Sequence, residues 1–232
     1  MIPPLRYAVY FTPPKDDPLT VAAARWLGRD GFSGGMVAQA EEPPLSAETL
    51  LEATADPRRY GFHATLKAPF ELKDGAALCD LEEALAAFAA ETRAFAISPL
   101  VLGRLGPFFA LVPGEPSAAL QSFAAEAVTR FEPFRAPLSD ADIARRKPER
   151  LSDAERAHLD RWGYPYVFDT FRFHMTLSGS LEPALADTVE PILRRRFAAF
   201  IERPLAVTGV ALFAETQRGA PFTVHTWLPL AA

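Results

Sequence analysis

A five-residue pattern occurs twice in this chain and constrains its fold more than any other feature. Residues 62–66 read Phe-His-Ala-Thr-Leu and residues 173–177 read Phe-His-Met-Thr-Leu, so four of the five positions are identical. The chain has only four histidines, and two of them occupy equivalent places in these copies. Such a match predicts an internal duplication, in which two similar units each contribute one histidine and one threonine.

The segments that follow the two copies support this duplication. After each copy, the pattern of apolar residues predicts a helix, a strand, a turn that contains glycine and a second strand. We place the repeat at about 60–113 and 171–230, within one domain that spans residues 1–232. The predicted fold class is α+β, with two pseudo-symmetric lobes whose small antiparallel sheets face a central cleft. The polar segment 133–163 lies between the copies and is a candidate cover for that cleft.

The periodicity also predicts the individual elements. Strands are expected over 6–11, 60–70, 95–102, 108–112, 168–177, 205–213 and 222–230. Helices are expected over 19–27, 46–55, 76–92, 117–131, 152–162 and 183–200.

Alternation along a strand decides which side chains of the pattern share a face. Residues two apart point the same way, so His63, Thr65 and Lys67 are expected on one face of the first strand. The second copy places its own histidine and threonine together in the same way and adds Arg172. If the two sheets face each other, two imidazoles and two hydroxyls converge in the cleft.

This combination of side chains suits hydrolysis of a phosphodiester. Of His63 and His174, one neutral imidazole can take a proton from the attacking water, and one protonated imidazole can give a proton to the leaving oxygen. The hydroxyls of Thr65 and Thr176 can donate hydrogen bonds to the phosphoryl oxygens. The sequence leaves open which histidine is the acid and which is the base. This mechanism needs no metal and no cofactor, and no zinc-binding pattern of histidines or cysteines is present.

The doubled pattern resembles the 2H phosphoesterase superfamily, which includes 2',3'-cyclic phosphodiesterases and RNA 2'-5' ligase-like proteins. Residues 60–70, Tyr-Gly-Phe-His-Ala-Thr-Leu-Lys-Ala-Pro-Phe, and residues 163–166, Gly-Tyr-Pro-Tyr, extend the match. They resemble one uncharacterised branch, usually encoded beside bacterial carbon–phosphorus lyase genes and labelled as phosphonate metabolism proteins. The resemblance implies a phosphoric diester hydrolase of the cyclic phosphodiesterase type that acts in phosphonate catabolism.

Further residues are candidates for contacts with a phosphate or a nucleotide-like substrate. Cationic side chains of the motif strands and of the polar segment can contact phosphate, although a solvated surface explains them equally well. Tyrosines near the motifs can stack on a base or simply pack. The same two interpretations apply to Tyr7 and Tyr10 of the first predicted strand. The candidates are Lys67, Arg172, Arg145, Tyr164, Tyr166 and Tyr7.

The composition limits the classes of partner that this protein is expected to bind. The formal net charge is −5, whereas a protein that binds duplex DNA usually has a basic surplus. One cysteine permits no internal disulfide, and no apolar run reaches the length of a membrane span. We therefore expect a cytoplasmic protein that acts on a small phosphorylated or nucleotide-like substrate, without duplex DNA or membrane as a partner. The sequence leaves the oligomeric state open.

Three other functions remain compatible with the sequence. The first is a non-catalytic module that binds a nucleotide or a sugar phosphate in the same cleft. The second is an RNA 2'-5' end-processing ligase or phosphodiesterase. The third is a structural partner in a larger phosphonate-degrading complex. Turnover that depends on both motif histidines separates an enzyme from the first and third alternatives.

Overall fold

The computed structural model describes residues 5–232, which form two four-stranded antiparallel sheets and the helices packed on them. The strands are β1 (Arg6–Phe11), β2 (Ala64–Glu71), β3 (Phe95–Leu105), β4 (Phe108–Pro113), β5 (Met175–Thr176), β6 (Pro204–Val207), β7 (Gly209–Glu215) and β8 (Thr223–Pro229). The helices are α1 (Pro18–Leu27), α2 (Ala47–Ala53), α3 (Ala55–Tyr60), α4 (Leu78–Glu91), α5 (Ala118–Phe131), α6 (Asp140–Arg145), α7 (Asp153–Trp162) and α8 (Pro183–Arg196). Single 3₁₀ turns occupy Glu132–Phe134, Pro148–Arg150 and Phe168–Thr170. Within residues 5–232, none of these helices has the length and apolarity needed to cross a membrane.

The two sheets combine strands from both halves of the chain. The first sheet has the order β2-β1-β7-β8, and the second has the order β5-β4-β3-β6. The strand of the first motif, β2, therefore shares a sheet with the C-terminal hairpin, while the strand of the second motif, β5, pairs with β4 of the N-terminal hairpin. The predicted α+β class with two small antiparallel sheets is confirmed. Both motif strands lie at an edge of their sheet.

One large hydrophobic core lies on the faces of the sheets that the helices cover. In β1, Tyr7, Val9 and Phe11 point into it, together with residues of β3, β4, β5, α4 and α5. The opposite face of β1 carries Ala8 and Tyr10, which pack in a smaller cluster against side chains of β7 and the β7–β8 connection. A strand with apolar residues on both faces separates the core on one side from the cleft on the other.

The first motif begins in a turn and continues into β2. The prediction of a strand over 60–70 was wrong at its start, because α3 continues to Tyr60 and Gly61 then turns the chain with a φ of 75°. At Gly61 a side chain would also approach Gly31 Cα to 3.3 Å. Such a positive φ favours glycine, since it has no Cβ. His63 therefore lies just before the strand, and Thr65 is the second residue within it.

The second motif forms much less strand than expected. The predicted strand over 168–177 is a 3₁₀ turn followed by the two residues of β5, which pair with Ala110 and Leu111 of β4. The hydroxyl of Thr170 donates to the carbonyls of Pro165 and Val167, which stabilises the turn locally. Local hydrogen bonds of this kind between a side chain and the backbone compete with the backbone hydrogen bonds of a β-sheet.

Two other predicted elements are each divided into two in the structure. The helix that begins after Ser46 ends at Ala53, and α3 follows at once, with Pro57 tolerated in its first turn. The strand expected over 205–213 is two strands in different sheets, β6 and β7. They separate beside Gly209, where a Cβ would lie 2.1 Å from the indole of Trp227. A close approach of this kind requires glycine.

Candidate active site

Both copies of the motif contribute to one cavity of about 340 Å³ between the sheets. His63 and Thr65 line it from the first sheet, and His174 and Thr176 line it from the second. The segment from Ala136 to Arg146, which includes α6, lines another side of the cavity. The polar segment between the copies thus lies against the same cavity that the motifs share.

The imidazole of His63 is held by its backbone and by aromatic rings. Its Nδ1 lies 2.9 Å from the carbonyl oxygen of Gly61, and because a carbonyl can only accept, Nδ1 donates. The ring stacks on Tyr10 with the two centroids 3.8 Å apart and an interplanar angle of 22°. Tyr60 and Phe213 lie at centroid distances of 6.1 and 6.0 Å. In the neutral ring Nε2 is then an acceptor, and the Thr65 hydroxyl lies 3.3 Å from it.

These surroundings keep His63 neutral. Burial lowers the pKa of His63 from 6.5 to about 4, the hydrogen bond to Gly61 opposes this change, and His174 adds to it. Burial acts in this direction because an apolar environment disfavours the charged form of an imidazole. Near neutral pH the unliganded site therefore offers a lone pair on His63 Nε2.

His174 repeats the local geometry of His63 in a different environment. Its Nδ1 donates to the carbonyl oxygen of Arg172 at 2.8 Å, again two residues upstream. Its aromatic neighbour is Phe108, with centroids 5.9 Å apart and no stacking. The two motifs thus orient their imidazoles by the same hydrogen bond, while the aromatic stack is found at His63.

The charges of the cavity are predominantly positive. Four guanidiniums and two carboxylates line it, and they belong to Arg6, Arg145, Arg146, Arg218, Glu71 and Asp142. Arg218 bridges Asp142 of α6 at 2.8 Å and Glu71 of β2 at 2.6 Å, which connects the segment from Ala136 to Arg146 to the first sheet. The hydrogen bond from Arg218 holds the pKa of Asp142 well below its usual range. A positive cavity in an acidic chain indicates a site for an anion.

Lys67 was predicted in the site, and this prediction was wrong about its position. Val9 of β1 pairs with Lys67, whereas the adjacent Tyr10 pairs with Thr65, so Leu66 is an extra residue in β2. This β-bulge turns Lys67 to the face opposite Thr65. The side chain is 2% exposed, forms an ion pair with Glu132 and lies 3.4 Å from the carbonyl oxygen of Trp162.

Three other candidates also lie outside the cavity. The side chain of Arg172 is exposed to solvent, and only its carbonyl serves the motif. Tyr7 is 4% exposed in the main core, because β1 directs it away from the cleft. Tyr166 is 45% exposed and packs edge-on against Tyr164. None of the three is among the cavity-lining residues that the structure describes.

Tyr164 and Arg145 do line the cavity, and unexpected residues join them. Arg145 pairs with Asp142, and its side chain is 55% exposed. Arg146 lies over the ring of Tyr164, with Cζ 4.9 Å from the centroid. Tyr10, which stacks on His63, could have been distinguished from Tyr7 in the sequence, since Tyr7, Val9 and Phe11 already form an apolar face. No local pattern distinguishes Arg146 from the neighbouring cations.

Among residues 5–232, no group of three or more histidine, cysteine, aspartate or glutamate side chains is placed to hold a metal ion. The cavity-lining carboxylates, Glu71 and Asp142, are both paired with Arg218.

Comparison with known proteins identifies a family and two curated relatives. A family described as a protein of unknown function (DUF1045) matches residues 65–223. The chain is 39% identical over 230 residues to a ribose 1,5-bisphosphate phosphokinase PhnN of Janthinobacterium sp. (strain Marseille), covering 97% of this chain and 51% of that protein. It is 34% identical over 234 residues to a protein of the same name from Laribacter hongkongensis (strain HLHK9), covering 98% and 53%. The chain therefore spans about half the length of these relatives.

Among solved structures, E. coli LigT in its apo form is similar to this chain at 16% identity. The similarity covers 99% of both chains, with a TM-score of 0.45.

Proposed function

Because the chain belongs to the DUF1045 family, whose description assigns no function, we propose its activity from the site itself. It is a metal-independent phosphoesterase that hydrolyses a cyclic or small-molecule phosphodiester by two-histidine acid–base catalysis. One observation carries the proposal. Both motif histidines donate Nδ1–H to a carbonyl two residues upstream, and both rings line one positive cavity with the motif threonines.

His63 is assigned the role of general base. Its Nδ1 carries the proton, so Nε2 presents a lone pair where a water molecule can be activated. Burial lowers the pKa of the free site to about 4, and an anionic substrate in the cavity acts in the opposite direction, because a nearby negative charge stabilises the imidazolium. The substrate itself thus strengthens the base that activates the attacking water.

His174 is assigned the role of general acid. Water attacks phosphorus and gives its proton to Nε2 of His63, while the bond from phosphorus to the leaving oxygen breaks. That oxygen receives a proton from His174, so the ring phosphate opens to a monoester and a hydroxyl. The hydroxyls of Thr65 and Thr176 donate to the non-bridging oxygens, where negative charge develops. The two imidazoles exchange protonation states, and solvent restores them.

The curated relatives suggest the class of substrate. Their name concerns a ribose that carries two phosphates, and it describes proteins about twice as long as this chain. Opening a cyclic phosphate between C1 and C2 of a ribose phosphate, with cleavage at O2, yields a ribose that carries separate phosphates. We propose a cyclic phosphate on ribose as the substrate. The resemblance of the motifs to the branch beside carbon–phosphorus lyase genes supports a role in phosphonate catabolism.

The test is a screen of 1,2-, 2',3'- and 3',5'-cyclic phosphates with wild type and histidine variants. His63→Ala and His174→Ala should each lower kcat by about 10²–10⁴-fold, the usual contribution of one general acid or base. His225→Ala is the matched control, since its imidazole bonds Glu82 outside the cavity. It should retain the wild-type rate, and EDTA should not lower that rate.

The assignment of acid and base has its own test. A phosphodiester whose leaving group needs no proton, such as a nitrophenyl ester, should restore turnover to His174→Ala and not to His63→Ala. Rescue of His63→Ala instead would reverse the roles. Wild-type turnover in both single variants on the best substrate would exclude hydrolysis by these residues and favour a binding module.

A further inference from the structure

The guanidiniums of the cavity differ in their partners. Arg6 pairs with Glu215 at 2.5 Å, Arg218 with Glu71 and Asp142, and Arg145 with Asp142. Within residues 5–232, Arg146 is the cavity-lining guanidinium that forms no ion pair with a carboxylate. Carboxylates of the chain therefore neutralise the charges of the other three guanidiniums, whereas none of the described carboxylates neutralises that of Arg146.

The position of Arg146 is defined by α6 and by Tyr164. It directly follows the last residue of α6, and its Cζ lies 4.9 Å from the ring centroid of Tyr164. Tyr164 directly follows Gly163, which ends α7 in the left-handed conformation with a φ of 73°. Stacking on an aromatic ring leaves the N–H groups in the plane of the guanidinium available for a ligand. The same contact covers one face of Tyr164, so that face is not open to a nucleobase.

We propose that Arg146 and Tyr164 form a subsite for a second phosphate, carried by the same molecule whose cyclic phosphate lies between His63 and His174. The proposal rests on the proposed function for the cyclic phosphate, and it makes the substrate a sugar with a cyclic diester and a terminal monoester. Arginine suits this role because its planar donors match phosphate oxygens in pairs. The hydroxyl of Tyr164 is a further donor, since burial raises its pKa and keeps it protonated.

The guanidinium that no carboxylate pairs supports a phosphate of its own. Of the four guanidiniums that line the cavity, three are paired with Glu71, Asp142 or Glu215, and His63 is neutral there near pH 7. A cyclic diester carries one negative charge, and a terminal monoester adds between one and two. A singly phosphorylated ligand would leave Arg146 uncompensated in a half-buried site, whereas a second phosphate pairs with it.

Matched substrates test the subsite by kinetics. Ribose 1,2-cyclic phosphate and adenosine 2',3'-cyclic phosphate are each compared with the form that carries a 5-phosphate on the same sugar. Wild type should prefer the 5-phosphorylated member of each pair that it hydrolyses. Arg146→Gln should raise KM for that member by about 10- to 100-fold, the loss of one charge-assisted interaction, and change the other less than about two-fold. Arg150→Gln is the control, because Arg150 belongs to the same segment, is exposed and does not line the cavity.

A binding measurement separates failure of the subsite from failure of the proposed function. Calorimetry with ribose 1,5-bisphosphate, ribose 1-phosphate and ribose 5-phosphate requires no turnover. Tighter binding of the bisphosphate than of either monophosphate, lost in Arg146→Gln and kept in Arg150→Gln, would support the subsite even if no cyclic phosphate is hydrolysed. Equal affinity for all three in the wild type would overturn it, as would an equal KM increase for both members of a substrate pair.

Discussion

The stability of the protein should decrease between about pH 6.5 and pH 4 because of His63. The pKa of this imidazole is lowered from 6.5 to about 4, mainly by burial. The unfolded chain exposes the ring to water, so across this interval the unfolded state binds a proton that the folded state does not. The contribution of neutral His63 is therefore complete above pH 6.5 and is lost progressively as the pH falls towards 4.

The size of the effect follows from the same two values. A difference of about 2.5 between the folded and unfolded pKa corresponds to about 3 kcal/mol, at about 1.36 kcal/mol for each pKa unit. The ring is only half-buried, so water offsets part of this, and we expect about 2–3 kcal/mol. A domain of ordinary stability unfolds at a cost of about 5–15 kcal/mol, so the loss should be readily measured.

Urea unfolding of wild type and His63→Asn, from about pH 4 to about pH 7.5, isolates this contribution. Asparagine keeps a donor for the carbonyl of Gly61 and does not titrate. Carboxylates with lowered pKa, such as Glu132 and Glu215, act in both proteins and cancel in the difference. Tyr10→Phe is the matched control, since it keeps the ring stacked on His63 and should retain the wild-type pH dependence.

Parallel stability curves for wild type and His63→Asn would refute the reasoning, because they would mean that His63 titrates alike in the folded and unfolded states. An NMR titration of the His63 ring gives an independent check. A midpoint near 6.5 in the folded protein would contradict both the stability prediction and the assignment of His63 as a neutral base in the free site.

Three further predictions follow from single residues. Lys67→Met should lower the free energy of unfolding by about 2–3 kcal/mol and change kcat/KM by less than about three-fold. The loss of stability is smaller than for a wholly broken buried ion pair because Arg135 still binds Glu132. A large loss of kcat/KM with unchanged stability would place Lys67 at the substrate. Gly61→Ala should cost about 1–3 kcal/mol in urea unfolding because of its positive φ, and unchanged stability would contradict that conformation. Thr176→Val should lower kcat about 10- to 100-fold on the best cyclic phosphate through the loss of one hydrogen bond to developing charge, whereas an unchanged kcat would exclude the hydroxyl from the reaction.

The elements that could be predicted are those whose pattern repeats along the chain. Strand β1 was predicted over its observed range, and helices α1, α4 and α5 within a few residues, because each has a full set of apolar positions on one face. The convergence of the two histidines followed from the duplication of their motif. These features depend on local periodicity and on a repeat, and a single sequence contains both.

The features that could not be predicted depend on a partner strand or on a tertiary contact. Alternation alone placed Lys67 beside Thr65, and only the pairing of β2 with β1 shows that Leu66 is an extra residue. The sequence likewise does not show that Asp142 pairs with Arg145 and Arg218, while Arg146 has no carboxylate partner among residues 5–232.

The duplicated motif explains why the two histidines are oriented alike, and their neighbours explain why they can differ in chemistry. The hydrogen bond from Nδ1 to a carbonyl two residues upstream is local to each copy of the motif and is found at both. The strand beside β2 is β1, which brings Tyr10 against His63, whereas the strand beside β5 is β4, which brings Phe108 near His174 without stacking. Acid–base catalysis needs one neutral and one protonated imidazole at the same time. The stack on Tyr10 and the burial that lowers the pKa of His63 come from the neighbours, so in the proposed mechanism the neighbours, and not the motif itself, distinguish the base from the acid.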